Sequence, residues 1–230
     1  MKLRLSIFFV FTALSSCTIP HDNNPIIFPI LSRIVFIEGD DFLTGMTFEY
    51  NELQQLAKTV RNGIEDLYFY EDNKLVKVTR GSQNTFYEYN LDGLLIKVDT
   101  DGSDWVKTYE YIGNEIHLEI TTPSSSYAKV YTMVGGNNVD YRKESSVVIT
   151  TKIVYDSNPS FLGRLPYAYA LNHTDLNILF DGFINSNNPI STDFQTITYV
   201  YNASGYPILL TSKAVDPANT SYSYIWKLEY

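Results

Sequence analysis

From about Ile34 to Tyr155 apolar and polar positions alternate in steps of two, and the alternation itself repeats. An aromatic, any residue, a tyrosine, a polar turn and then an apolar pair recur along the chain. The copies are Phe48-Glu49-Tyr50 with Leu56, Tyr68-Phe69-Tyr70 with Leu75-Val76, Tyr87-Glu88-Tyr89 with Leu94-Leu95-Ile96, and Tyr109-Glu110-Tyr111 with Ile116. A late copy is Tyr199-Val200-Tyr201 with Ile208-Leu209. The second tyrosines of the first four copies stand 20, 19 and 22 residues apart. Two strands of about seven residues and two turns of about three make a hairpin unit of that length. The turns carry residues that tolerate positive φ: Asn73, Asp92-Gly93, Gly113-Asn114 and Ser204-Gly205 within units. Asn62-Gly63, Gly81-Ser82 and Asp101-Gly102-Ser103 suit the return turns between them. The first copy, Asn51-Glu52-Leu53-Gln54, has no glycine. The pattern predicts an all-β fold, a long antiparallel meander of about 12–14 strands, each pairing with the next in sequence. It forms a curved sheet or a partly closed barrel.

Both aromatics of a Tyr-x-Tyr fall on one face and the residue between them on the other. Glu49, Glu88 and Glu110 therefore mark a wetter face, which Phe69 and the apolar pairs after the turns interrupt. Both faces are expected to be partly covered, by curling of the sheet or by another segment. The period of two is lost after Asp156: Asn158-Pro159 stops a strand, and Leu176, Leu179 and Phe180 have helical spacing behind Thr174-Asp175. A short helical insertion near 162–184 is predicted, ended by Asn185 to Pro189, with strands resuming at about 194–201, 207–214 and 222–229.

The N-terminus is of another kind. Lys2 and Arg4 precede an apolar run of about ten residues, Leu5 to Leu14, far short of the ~20 a spanning helix needs. That is the build of a secretory signal peptide. Leu14-Ser15-Ser16-Cys17 resembles the bacterial lipobox, which implies cleavage before Cys17 and lipid attachment to its sulfur. The competing reading is an ordinary signal peptide, cut elsewhere, with Cys17 a free thiol. Cys17 is the only cysteine, so no intramolecular disulfide is available to an exported chain. Thr18 to Pro29, with three prolines and two asparagines, reads as a tether. The expected organisation is signal peptide 1–16, lipidated tether 17–32 and one β domain 33–230. The expected place is the bacterial cell envelope, outer-membrane-anchored, with periplasmic and surface faces both open.

Composition fits one domain: 230 residues, 44% hydrophobic, with 19 tyrosines that favour half-buried pleated surfaces over helices. Removing Lys2 and Arg4 leaves 15 basic side chains against 26 acidic ones, a net charge of −11. Nucleic acid and anionic lipid headgroups are therefore poor partners of the folded body, and no nucleic acid is expected. The membrane is reached through Cys17, and the ligand class expected beyond it is a glycan or a hydrophobic molecule; the sequence leaves the oligomeric state open.

Tyr89-Asn90-Leu91-Asp92-Gly93-Leu94-Leu95 resembles the tyrosine-aspartate repeats of bacterial shell proteins, with Asn in the place of Asp and too few copies for a shell. Over residues 34–230 the chain resembles Bacteroidota lipoproteins of a domain-of-unknown-function family with a porin-like β fold. Cys17, the hairpin repeats, Asn158-Pro159, Asn187-Asn188-Pro189 and the closing run Tyr199 to Pro207 carry that resemblance. It implies an envelope protein but no catalytic residues. It does not imply an integral membrane barrel, since the strands lack one clean apolar face with aromatic girdles.

The candidate chemistry is sparse. Asp99, Asp101 and Asp104 around Gly102 have an ordinary turn as their simpler reading, since the spacing lacks the third early ligand of a calcium loop and its glutamate at position twelve. Glu115, His117 and Glu119 share a strand face, nearly 7 Å apart in succession, which is too sparse for a metal without a neighbouring strand. Trp105, Tyr109 and Tyr111 share a face and form the candidate ligand-binding platform, against the alternative that tyrosine stripes only stabilise the sheet. No Gly-x-Ser-x-Gly, phosphate loop or dinucleotide fingerprint occurs, and no catalytic residue, metal or cofactor is expected. A glycan-acting hydrolase would need two carboxylates facing across a cleft, and a module without enzymatic activity is the leading expectation.

Overall fold

The repeat folds as hairpins, and the hairpins close on themselves. The computed structural model describes residues 30–38, 41–144, 149–162, 186–214 and 223–230. The strands are β1 (Arg33–Glu38), β2 (Asp41–Tyr50), β3 (Leu56–Arg61), β4 (Ile64–Glu71), β5 (Lys74–Arg80), β6 (Gln83–Tyr89), β7 (Leu95–Thr100) and β8 (Val106–Ile112). They continue as β9 (Glu115–Thr122), β10 (Ser125–Val134), β11 (Asn137–Glu144), β12 (Ile149–Pro159), β13 (Asn187–Thr192), β14 (Gln195–Tyr201), β15 (Pro207–Ala214) and β16 (Ser223–Glu229). Each pairs antiparallel with its successor, and β16 returns to β1 through Arg33↔Glu229 to Ile37↔Ile225. The result is a closed barrel of sixteen strands among the described residues, a few more than the repeat count predicts. Closure removes both sheet edges. No helix occurs among the described residues; the predicted helical segment, apart from Leu162, lies outside them, as do the signal peptide and Cys17. Leu31 and Ser32, at the end of the expected tether, belong to the barrel. Leu31 is 2% exposed, and Ser32 is hydrogen-bonded through its N–H to Glu229 O and through its carbonyl to Phe48 N.

The two-residue turns take the conformation their strands require. Asn62-Gly63, Asp72-Asn73 and Gly135-Gly136 have positive φ at both positions, the twist that joins right-handed strands without splaying them. Gly136 has a second reason to be glycine: a Cβ there would collide with the Ser186 side chain, where the 135–136 turn meets the end of a distant segment. The longer turns share one device. Asn51 Oδ1 accepts from Leu53 N and Gln55 N, Asn90 Oδ1 from Leu94 N, and Asn202 Oδ1 from Ser204 N and Tyr206 N. The asparagine after each tyrosine is thus the turn's side-chain anchor. In the first copy Gln54 occupies the left-handed position (φ 60°) that glycine fills in the others.

The two faces of the sheet differ more sharply than the pattern predicts. Leu56, Tyr68, Leu75, Tyr87, Leu95 and Tyr109 are among the inward side chains of a single core cluster. Glu49, Glu88 and Glu110 point outward, as expected. The apolar pairs are not evidence of a second packed face. Leu56, Leu75 and Leu95 point in, and the next residue is the extra one of a β-bulge: Ala57, Val76 and Ile96 interrupt the registers of β2–β3, β4–β5 and β6–β7, whereas in the late copy Ile208 is the bulge residue and Leu209 lies opposite outward Val200. Phe69 is outward and 40% exposed, with the Lys77 ammonium 4.2 Å from its ring centre on the neighbouring strand.

Candidate functional site

The hairpins divide the interior into two ends. Turns 51–55, 72–73, 90–94, 113–114, 135–136 and 202–206, with Ser32 and Tyr230, lie at one end; turns 62–63, 81–82, 101–105, 123–124 and 193–194 lie at the other. The first is lined by tyrosines. Tyr70 OH donates to Leu56 O at 2.8 Å, Tyr89 OH to Leu75 O at 2.8 Å and Tyr111 OH to Leu95 O at 2.9 Å. The same bond joins Tyr155 to Asn138 O, Tyr199 to Pro189 O and Tyr230 to Pro207 O. Each of these six carbonyls belongs to the residue just before a bulge, where the sheet ladder is interrupted. Each phenol therefore bonds a carbonyl that the bulge sets apart, and it ties one hairpin to the previous one. Tyr89→Phe is expected to lower stability by about 1 kcal/mol, the net worth of one such bond. Urea titration checks this: a midpoint shift without a change in m is expected, and an unmoved midpoint would show that the phenol only fills space.

Beside this ladder the asparagine-proline motifs come together. Asp156 Oδ1 accepts from Asn158 N at 3.0 Å and Asn188 N at 3.1 Å, and Tyr201 OH donates to Asp156 Oδ2. Asn188, fully buried, accepts from Phe161 N at 3.1 Å and donates to Pro159 O at 3.1 Å. Asn187 and Asn137 exchange two bonds of 2.9 Å, side chain to side chain and backbone to side chain. This knot pins both ends of the segment between β12 and β13. Desolvation, helped by the Asp156 carboxylate, pushes the Tyr201 phenol up to about 12.

The other end is polar. Asp66, 6% exposed, takes a bidentate pair of 2.6 Å bonds from Arg80 on the adjacent strand. The Arg61 guanidinium lies over the Phe36 ring at 5.4 Å. Thr85 and Thr100 share a 3.0 Å hydrogen bond, and Ser212 donates to Gln195 Oε1 at 3.0 Å. Lys107, opposite buried Val98 and Ile120, and Lys129, opposite buried Leu118, also face inward by register.

The predicted platform is divided between these regions. Tyr109 is 8% exposed in the core, and Tyr111 is a rung of the phenol ladder. Trp105 alone of the three stands at the polar mouth, half-buried, with the Lys107 ammonium 5.2 Å from its ring centre. Asp99 pairs outward with Lys97 at 3.2 Å, Asp101 accepts from Asn84 Nδ2 at 3.1 Å, and Asp104 is exposed, so the three aspartates do not converge. Glu115 and His117 form an outward pair at 2.9 Å. Among the described residues no group of three or more metal-ligating side chains is assembled. The inward lysines were legible only as alternation; nothing local distinguishes them from the outward ones.

The barrel is similar to a porin-like protein from Bacteroides vulgatus, at 12% identity over 87% of this chain and 98% of that one, with a TM-score of 0.47. It is similar also to a porin-like protein from Bacteroides uniformis, at 13% identity over 86% and 96%, with a TM-score of 0.41. A third likeness, to the TcdB2-TccC3-Cdc42 structure, covers 80% of this chain and 11% of that one at 15% identity and a TM-score of 0.34. No family model matches the sequence, and no curated protein matches it.

Proposed function

We propose that this protein is a lipid-anchored, non-enzymatic binding or scaffold module of the bacterial cell envelope. The observation that carries the reading is a barrel turned inside out relative to one that spans a membrane. Its interior is packed with leucine and tyrosine, while its outer wall carries charge in mid-strand. Lys58 bridges Glu49 at 2.7 Å and Glu65 at 3.7 Å, and Lys97 bridges Glu88 at 3.1 Å. On a lipid-facing wall basic side chains cost about 2–4 kcal/mol each at the midplane. Most strands have six to eight residues, against the 9–11 of a spanning strand. Such a body needs an anchor, and Leu14-Ser15-Ser16-Cys17 supplies one. The described chain begins at the tyrosine-lined end, opposite the polar mouth. Within binding, a glycan is the better-supported ligand than a hydrophobic molecule, because the apolar half of the interior is occupied by its own side chains. Hydrolysis is disfavoured: the buried Asp66 carboxylate in the polar half is already held by Arg80.

Cys17→Ser tests the anchoring. The variant is expected to leave the membrane fraction or to retain its signal peptide, and to take up no labelled fatty acid. Wild-type fractionation of the variant would defeat the anchor.

A further inference from the structure

The polar mouth has a sign opposite to that of the protein. The chain carries a net charge of −9, yet Arg61, Arg80, Lys107 and Lys129 all face inward in this half, where Asp66 is paired with Arg80. Glu49, Glu65, Glu88 and Glu110 are placed on the outer wall. A barrel interior in which basic groups outnumber acidic ones concentrates anions, and low-dielectric walls strengthen the effect. The second observation is independent of charge. Thr151 is 3% exposed, and its buried Oγ1 has no hydrogen-bond partner. Gln195 Nε2 is likewise buried and unpartnered, although its Oε1 accepts from Ser212. A buried hydroxyl or amide left unmatched costs about 1–3 kcal/mol, which a ligand or ordered water at the site recovers.

These groups follow one another along one wall. Lys107 is on β8, Lys129 on β10, Thr151 on β12 and Gln195 on β14, so every second strand contributes one polar group to the inner face. Neighbours in this series are about 12 Å apart, two strand spacings across and two residues along. That separation suits successive groups of an extended ligand better than one small ion. Trp105 adds an aromatic ring at the rim, beside Lys107. Anionic groups for the lysines, hydroxyls for the threonine and glutamine, and a flat apolar face for the tryptophan are properties of one chemical class. We propose that the polar mouth binds an acidic saccharide, with Lys107 and Lys129 receiving its anionic groups, Thr151 and Gln195 its hydroxyls, and Trp105 a sugar face.

The proposal rests on the reading of the protein as a binding module and names its ligand class. Its test is calorimetric titration of the full chain, extracted in neutral detergent, with tetragalacturonate, its neutral methyl ester and a sulfated disaccharide from heparin. Saturable binding of an anionic probe and none of the ester is expected, weakening as salt rises. Lys107→Gln and Lys129→Gln should each reduce affinity about tenfold, the loss of one charge-assisted bond. Lys107→Arg should retain binding, and Lys58→Gln on the outer wall should change nothing. Binding of the carboxylated probe alone, the sulfated probe alone or both supports the site and states which anion it takes. Equal binding of the ester, lysine variants as tight as wild type with unchanged circular dichroism, or no heat from either anionic probe overturns it. A probe recovered shortened would overturn the non-enzymatic reading while leaving the site in place, and the Cys17→Ser result bears on anchoring alone.

Discussion

Between pH 10 and 12 the barrel is expected to unfold cooperatively, with its buried tyrosines ionising only as it does so. Burial pushes the phenols of Tyr68, Tyr87 and Tyr199 well above the ordinary tyrosine value, and those of Tyr50, Tyr111 and Tyr155 in the same direction. The cause is desolvation: a phenolate inside the barrel loses its water and finds other phenols around it. The sign follows from proton binding. Below pH 10 these tyrosines are neutral in both states, so the packing they provide is fully present. Above pH 10 the unfolded chain releases protons that the folded one retains, and stability falls until the folded-state value is passed. The phenols of Tyr68, Tyr87 and Tyr199 together withdraw about 4 kcal/mol by pH 11 and about 8 by pH 12, at roughly 1.4 kcal/mol per group per pH unit. A domain has about 5–15 kcal/mol in all, so the loss is decisive within that window. Absorbance at 295 nm and far-ultraviolet circular dichroism, recorded together, check it. The late tyrosines should titrate in step with loss of sheet signal; a normal titration at pH 10 with the sheet intact would refute the account.

Asn188→Ala should be the most damaging single substitution in the polar knot. It removes the acceptor of Phe161 N–H and the donor to Pro159 O in a side chain with no exposure. Two orphaned backbone groups at about 1–3 kcal/mol each give an expected loss near 3 kcal/mol, a fall in Tm of roughly 6–12 °C. Asn188→Asp distinguishes the bonding from the volume. The introduced carboxylate is isosteric but meets Asp156, whose Oδ2 lies 3.5 Å from Nδ2 in the native protein. Like charges and burial would raise its pKa, so the variant should be weaker than Asn188→Ala at pH 7 and recover as the pH falls and one carboxyl is protonated. Thermal melts at pH 5 and pH 7.5 decide this. Equal destabilisation at both would show that the site tolerates the charge and that the knot contributes shape alone.

How much of this was legible beforehand varies by residue. Tyr89 and Tyr111 could be placed on one face from spacing alone, and Asp92-Gly93 could be read as a turn. That Tyr89 reaches Leu75 O could not be read, because the bulge at Val76 that sets this carbonyl apart is a property of the pairing of β4 with β5. Tyr109 and Trp105 look alike in the sequence as aromatics four residues apart on one face. One is sealed in the core and the other sits at the mouth, a difference of height in the barrel that no local pattern encodes. Asn188 reads as part of an Asn-Asn-Pro punctuation mark, and its role exists only where Asp156, Pro159 and Phe161 meet it.

The sequence by itself determined the hairpins: period-two alternation, left-handed turn residues and an asparagine anchor are local, and each is enforced within about twenty residues. It determined the lone Cys17 and the acidic balance as well. The tertiary structure alone decided that β16 returns to β1, because closure depends on the sum of twist and stagger over all strands. Closure in turn made one face an inside. Only then did the tyrosines become rungs between hairpins, and only then did Lys107 and Lys129 part from the lysines of the outer wall.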